Sequence, residues 1–253
     1  REAESETATS QVRPHHAEAH MVGGEETATS LEIMITEQHF HKVINSDDPA
    51  VDPYDLISDV VNKHHTACDA EIVSEHFADR TGSFLCVGAM DGNDQTLQLL
   101  ENGWTGVYCE PDPRTFKQLT HTVEPHKDRV TLINAAVSPR AGLAPFNLAS
   151  HTQHSSLIDS WAQRHGDTNV DRIQVNCVTL KQLLTQKFDY IQTDTEGLDV
   201  AIISSVDWTK VPSCEMICTE AGAAVLKQLC QQGDYIITDM TPTNAFYRHR
   251  TTF

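Results

Sequence analysis

The chain predicts an α/β fold, strands of a largely parallel sheet alternating with helices, on three observations. Residues 83–113, SFLCVGAMDGNDQTLQLLENGWTGVYCEPDP, read as strand, glycine turn, helix, strand and acid. A second apolar strand, inside Phe188–Asp199 (FDYIQTDTEGLD), delivers Asp194 and Glu196 at its carboxyl end before Gly197 turns the chain. Met216–Glu220 (MICTE) repeats that design one strand later. In open α/β sheets ligands lie beyond the carboxyl ends of the strands, so these acids mark the edge to watch.

Phe84-Leu85-Cys86-Val87 is the short apolar run that a buried parallel strand needs. Gly88 through Gly92 breaks it with two glycines and an aspartate, a turn where a ligand can approach the backbone. From Asp94, Leu97, Leu99 and Leu100 sit beside Gln95, Gln98 and Glu101, predicting a helix that stops at Asn102-Gly103. Thr105–Cys109 is the next strand, and Glu110 falls at its end, where a carboxylate can accept hydrogen bonds from both hydroxyls of a ribose. Dinucleotide-binding turns read G-x-G-x-x-G, whereas this one reads Gly88-Ala89-Met90-Asp91-Gly92 and lacks the middle glycine of a pyrophosphate cradle. The pattern favours a nucleoside ligand without a phosphate chain, of which S-adenosylmethionine is the commonest cofactor. The same turn also occurs in α/β proteins that bind nothing there.

Pro111-Asp112-Pro113 opens a helix through Phe116, Leu119 and Val123, and Val130–Val137 (VTLINAAV) reads as a third strand. Asn134 near its end either orients an adenine or a water, or satisfies neighbouring backbone. Leu143–Leu148 and Ile173–Val178 read as strands around a polar segment, His151 to Leu157. Leu180–Leu184 is a short helix, Val200, Ile202, Ile203 and Val206 mark another, and Leu226 with Leu229 a third. Tyr235–Thr238 and Ala245–Tyr247 form a closing antiparallel pair.

At 253 residues the chain suffices for one α/β domain with an N-terminal piece. Residues 1–30, rich in Glu, Ala, Thr, Ser and Gly, are expected to be a flexible acidic tail, in which His15, His16 and His20 are solvated. Residues 31–80 are expected to form a helical extension that packs on the sheet or covers its ligand edge: a mixed pattern at Leu31–Ile44, a helix with Leu56, Ile57, Val60 and Val61, and another with Ile72, Val73 and Phe77. His64-His65 receives no chemistry. The 18 Lys+Arg against 36 Asp+Glu leave a net charge of −18, which repels phosphate backbones and anionic lipid, so neither nucleic acid nor a membrane is an expected partner. Seven cysteines without a C-x-x-C suggest a reducing compartment, and a cytoplasmic location is expected.

Residues 83 to about 222 resemble the FkbM-type S-adenosylmethionine-dependent methyltransferases. The motifs are Val87-Gly88-Ala89-Met90-Asp91-Gly92, Glu110-Pro111-Asp112-Pro113, Asn134-Ala135-Ala136-Val137-Ser138 and Asp194-Thr195-Glu196-Gly197. The resemblance implies the Rossmann-like class I methyltransferase fold: a mostly parallel seven-stranded sheet, helices on both faces and an antiparallel strand at one edge, with 81–253 as the methyltransferase domain. It implies cofactor contacts from Val87, Gly88, Ala89, Met90, Asp91, Gly92, Glu110, Pro111, Asn134, Ala135 and Asp194. The chain departs from the pattern at Cys86, where such enzymes usually carry an acid that helps hold the cofactor's amino-acid end. Asp91 or a water is the substitute, unless cofactor affinity is low or the fold is a binding module without turnover.

The expected reaction is in-line methyl transfer to a hydroxyl of a sugar, glycan or other small molecule, with Asp194 as first candidate base and Glu196 and His154 next. Asp194 equally suits a hydrogen bond to cofactor or the cap of the next helix. Asp194, Glu196, Glu220, His151 and His154 are potential metal donors, but nothing in the sequence shows them converging, and no metal is assigned. A nicotinamide-dependent oxidoreductase is the competing enzyme class, and it leaves the D-x-E-G stretch without a role.

Overall fold

The computed structural model describes residues 68–252. The expectations for the tail, for Leu31–Ile44, for the helix around Leu56 and for His64-His65 lie outside the described residues.

Helix α1 (Asp69–His76) leads into β1 (Ser83–Val87), α2 (Gln95–Glu101), β2 (Thr105–Cys109) and α3 (Pro113–Thr122). Each of the two following helices starts on an aspartate set just past a strand. Asp94 accepts from the Thr96 N–H at 2.8 Å and Asp112 from the Arg114 N–H at 2.8 Å, with Pro113 in the first turn of α3. Then follow β3 (Val130–Ile133), β4 (Ala136–Val137), β5 (Gly142–Ala149), α4 (Trp161–Arg164), β6 (Asn169–Val178), α5 (Leu180–Leu183) and β7 (Tyr190–Thr193). The described chain closes with α6 (Asp199–Ser204), β8 (Met216–Thr219), α7 (Leu226–Gln232), β9 (Tyr235–Met240) and β10 (Ala245–His249).

Seven strands form one sheet in the order β3-β2-β1-β7-β8-β10-β9, parallel except for β10, which runs antiparallel to both neighbours one place in from β9. The order reverses direction between β1 and β7, the position at which such sheets open a crevice. Strand alternation builds two cores. Phe84, Cys86, Tyr108 and Tyr190 face Ile72, Val73 and Phe77 of the α1 region and Leu99, Leu100 and Leu119 of α2 and α3. Leu85, Val87, Cys109 and Ile191 face Leu180, Ile202, Ile203 and Leu229 of α5, α6 and α7. Helices thus cover both faces, and α1 packs on the sheet, the first of the two placements expected for it. Fully burying one such side chain stabilises by about 1.5–3 kcal/mol.

The run 130–137 is a correction: it is two strands in two sheets. β3 pairs with β2 in the main sheet, while β4 joins a smaller sheet of order β4-β6-β5. The break falls where the Asn134 side chain leaves the strand to bond backbone carbonyls and the Ala135 N–H turns back onto the Ile133 carbonyl at 3.0 Å. β6 also starts earlier than its apolar pattern suggests, because its first residues are exposed and carry no alternation. All seven cysteines are free, and only Cys68 is exposed. No helix among the described residues is long and apolar enough to cross a membrane.

Candidate active site

At the tip of β1 the chain makes a tight turn whose first two N–H groups, from Gly88 and Ala89, both donate to the Cys109 carbonyl at 3.0 and 3.1 Å. The turn thereby hangs from the end of β2. Met90, in the left-handed region at φ 47°, donates its N–H to one carboxylate oxygen of Glu110 at 2.8 Å, and the Asp112 N–H donates to the other at 2.7 Å. Glu110 is 6 % exposed, and burial pushes its carboxyl up to about 7 against the pull of those two N–H bonds. Asn134 donates its amide to the Glu110 carbonyl at 2.8 Å, so it supports the acid from behind, by the backbone route rather than by reaching an adenine.

At the tip of β7 the Asp194 N–H donates to the Val87 carbonyl at 2.9 Å. Its own carbonyl oxygen lies 1.6 Å from where a side chain on Gly88 would begin, and Gly88 sits at φ 78°. The contact between two strand tips thus requires glycine here. A side chain on Gly92 would likewise meet Leu119 at 2.5 Å. After Asp194, Thr195 donates through N–H and hydroxyl to Asp199 at 3.1 and 2.7 Å, and Glu196 sits at φ 56°. The Trp161 indole N–H donates to Glu196 at 2.5 Å, and the Ser156 hydroxyl donates to the Glu196 carbonyl at 2.9 Å. Burial, then the charges of Glu220, Glu196 and Asp199, hold the Asp194 carboxyl far above the usual carboxylate range. Glu220 and Glu196 are raised too, by burial first. One oxygen of Asp199 is buried with no hydrogen-bond partner.

The two tips enclose one cleft, with about 580 Å³ of empty space that opens to solvent at its rim. Both acids line it. Of the expected residues, Gly88, Met90, Glu110, Pro111, Asp194 and Glu196 line the cleft; Val87, Ala89, Asp91, Gly92, Asn134, Ala135 and His154 do not. Val87 and Ala89 point into the two cores, Gly92 is packed under Leu119, and Ala135 is buried. Asp91 accepts from the Asn93 N–H at 3.1 Å. The acid against Cys86 is Asp94 instead, with one carboxylate oxygen 3.7 Å from the sulfur. His154 stacks on His165 at 4.8 Å.

The opposite wall is formed by Phe146 of β5 and by Thr152, Gln153, Ser155 and Leu157 of the polar segment, none of which the sequence singles out individually. Asp112 holds that wall in place. It is 1 % exposed, pairs with Arg114 at 2.7 Å and accepts from the Ser155 hydroxyl at 3.1 Å, while Arg114 reaches the Ala149 carbonyl at 3.0 Å. The available signal was the aspartate between two prolines, read only as a helix start.

With this geometry in place, a family model described as the methyltransferase FkbM domain matches residues 87–238. The chain belongs to the FkbM methyltransferase family. Solved structures similar to this FkbM chain include an FkbM methyltransferase from Methylobacillus flagellatus KT, at TM-score 0.47 and 11% identity over 77% of this chain and 50% of that one. The C-terminal domain of precorrin-6Y C5,15-methyltransferase from Rhodobacter capsulatus gives 0.41 at 8% identity, over 71% of this chain and 85% of that one. A ribosomal protein L11 methylase from Lactobacillus delbrueckii subsp. bulgaricus gives 0.42 at 9%, over 72% and 77%. The chain thus spans half the length of the first of these structures. No curated protein matches the sequence.

Proposed function

We propose that this FkbM-family chain is an S-adenosylmethionine-dependent O-methyltransferase acting on a hydroxyl of a sugar, glycan or other hydroxylated small molecule. One observation carries the reading: Glu110 and Asp194, on separate strand tips, line the same cleft. The residues fit the cofactor. Each Glu110 oxygen accepts one backbone N–H and keeps a lone pair, so the pair of oxygens can receive the two hydroxyls of a ribose. Across the cleft, Asp194 and Glu196 on the lining, with Glu220 beside Asp194, suit a cationic group. When bound, S-adenosylmethionine supplies an electrophilic methyl group on a positively charged sulfur.

The protein's own task is to hold the acceptor hydroxyl in line and exclude water, which can remove roughly 7 kcal/mol or more of barrier. Phe146 and Leu157 supply an apolar wall, and Thr152 and Gln153 supply hydrogen bonds to a hydroxylated acceptor. Asp194 is the base that takes the acceptor's proton once it is ionised, and Glu196 is the second carboxylate in reach of the cleft. His154 drops out of this role because it does not line the cleft. The net charge of −18 disfavours nucleic acid and anionic membrane as acceptors.

Calorimetry with S-adenosylmethionine and, separately, NAD tests the cofactor: only the former is expected to bind. Transfer of a radiolabelled methyl group to a panel of sugars and glycans tests the reaction. A second reading, a binding module without turnover, draws on Cys86 in place of the usual acid; cofactor binding with no transfer to any hydroxylated compound would favour it.

A further inference from the structure

Three donors gather on the far side of the cleft wall. The Nδ1 atoms of His151 and His154 lie 3.3 and 3.4 Å from the same carboxylate oxygen of Asp167. The three ligand atoms all fall within 4.8 Å of one another, the one such group of histidine, cysteine and carboxylate among the described residues. A tetrahedral ion with bonds of about 2.0–2.2 Å separates its ligand atoms by roughly 3.3–3.5 Å. The two imidazole-to-carboxylate separations match that spacing.

Hydrogen bonding alone accounts poorly for the arrangement. The shared oxygen already accepts the His151 backbone N–H at 2.8 Å, and the His154 Nδ1 is buried with no hydrogen-bond partner. The other Asp167 oxygen accepts from the Ser150 hydroxyl and the Thr168 N–H, which orient the carboxylate. The His154 ring is fixed by stacking on His165 with an interplanar angle of 23°. Asp167 is 8 % exposed and the His151 side chain 75 % exposed, so the group runs from a buried carboxylate to a solvent-facing imidazole.

We infer that His151, His154 and Asp167 form a site for a divalent transition-metal ion of the zinc type, clamping the cleft wall to the start of β6. Two imidazoles and one carboxylate suit zinc and its neighbours better than magnesium or calcium, which prefer all-oxygen shells. Thr152 and Gln153 lie between the two histidine ligands and line the cleft, so an ion here ties down the wall that faces the acceptor. The inference stands on these donors and does not depend on the reaction proposed above.

The test uses the full chain without an affinity tag, stripped with a chelator and titrated with Zn²⁺ by calorimetry, with bound metal counted after gel filtration. One retained equivalent is expected in the parent protein and in a variant with His15, His16 and His20 changed to Ala. His154→Ala and Asp167→Asn are expected to weaken binding by at least about tenfold. Asp167 also accepts hydrogen bonds that shape the loop, so His151→Ala, at an exposed position, is the variant that spares the fold and is expected to show the same loss. A tetrahedral Co²⁺ absorption spectrum in the parent and its disappearance in His154→Ala is the second readout. The inference is overturned if no equivalent is retained, if binding survives in His151→Ala and His154→Ala, or if it is lost with the tail histidines alone.

Discussion

The two strand tips that frame the cleft carry the same kind of residue in the same topological place, yet the protein treats them differently. Glu110 at the end of β2 is held on both oxygens by backbone N–H groups, from Met90 and Asp112, and its backbone carbonyl is braced by Asn134. Asp194 at the end of β7 instead faces other carboxylates, those of Glu220, Glu196 and Asp199, in a buried setting. Fixed dipoles make the first acid a preorganised acceptor. Burial, together with crowded like charges, makes the second hold its proton until a neighbouring positive charge or a higher pH favours its ionisation. Position supplied the acids; surroundings divided the labour between them.

The largest expected effect that would break this comparison is on Asp194. Asp194→Asn is expected to lower turnover by roughly 10²–10⁴-fold, the usual contribution of a general base, while cofactor affinity measured by calorimetry changes far less. Equal losses in both would remove the base assignment. Gly88→Ala comes next, because its side chain would meet the Asp194 carbonyl at a left-handed backbone position. A stability loss of about 3 kcal/mol or more is expected in denaturant unfolding, with the two tips no longer in register. Glu110→Ala is expected to weaken cofactor binding by about 10- to 100-fold, since it removes the proposed ribose acceptor and orphans two N–H groups.

The pH dependence sharpens the contrast further. A carboxyl raised in the folded state binds a proton that the unfolded chain has released, so stability falls as pH rises above about 4, the unfolded value. Turnover is expected to run the other way, rising toward alkaline pH as Asp194 ionises. Asp194→Asn is expected to flatten the turnover profile and to gain on the parent in thermal stability as pH increases. The smallest effect expected is that of Trp161→Phe, which removes the indole donor to Glu196. A change of about 1 kcal/mol, read as a few-fold rise in KM for the acceptor, is the scale for one such hydrogen bond.

Much of the fold was legible because its signals are local. The apolar run at Phe84–Val87, the glycines after it and the acid at 110 lie within one short stretch, and the pairing of β9 with β10 follows from two apolar runs around Thr241-Pro242-Thr243-Asn244. What was not legible depends on contacts between distant segments. Gly88 needs to be glycine because of Asp194, the strand at 130–137 splits because Asn134 bonds the end of β2, and Asp112 reaches across to Ser155. Asp94 beside Cys86 belongs to the same class: a helix cap in sequence, an acid against the departing residue in space.

By itself the amino-acid sequence determined the alternation of strands and helices, the family, and the two acids at strand ends, since periodicity and turn chemistry act over a few residues. The tertiary structure alone decided that both acids share a cleft, which wall faces them, and how readily each gives up its proton. Those properties arise from burial and from charges brought together by chain-distant packing, and no window of the sequence contains them.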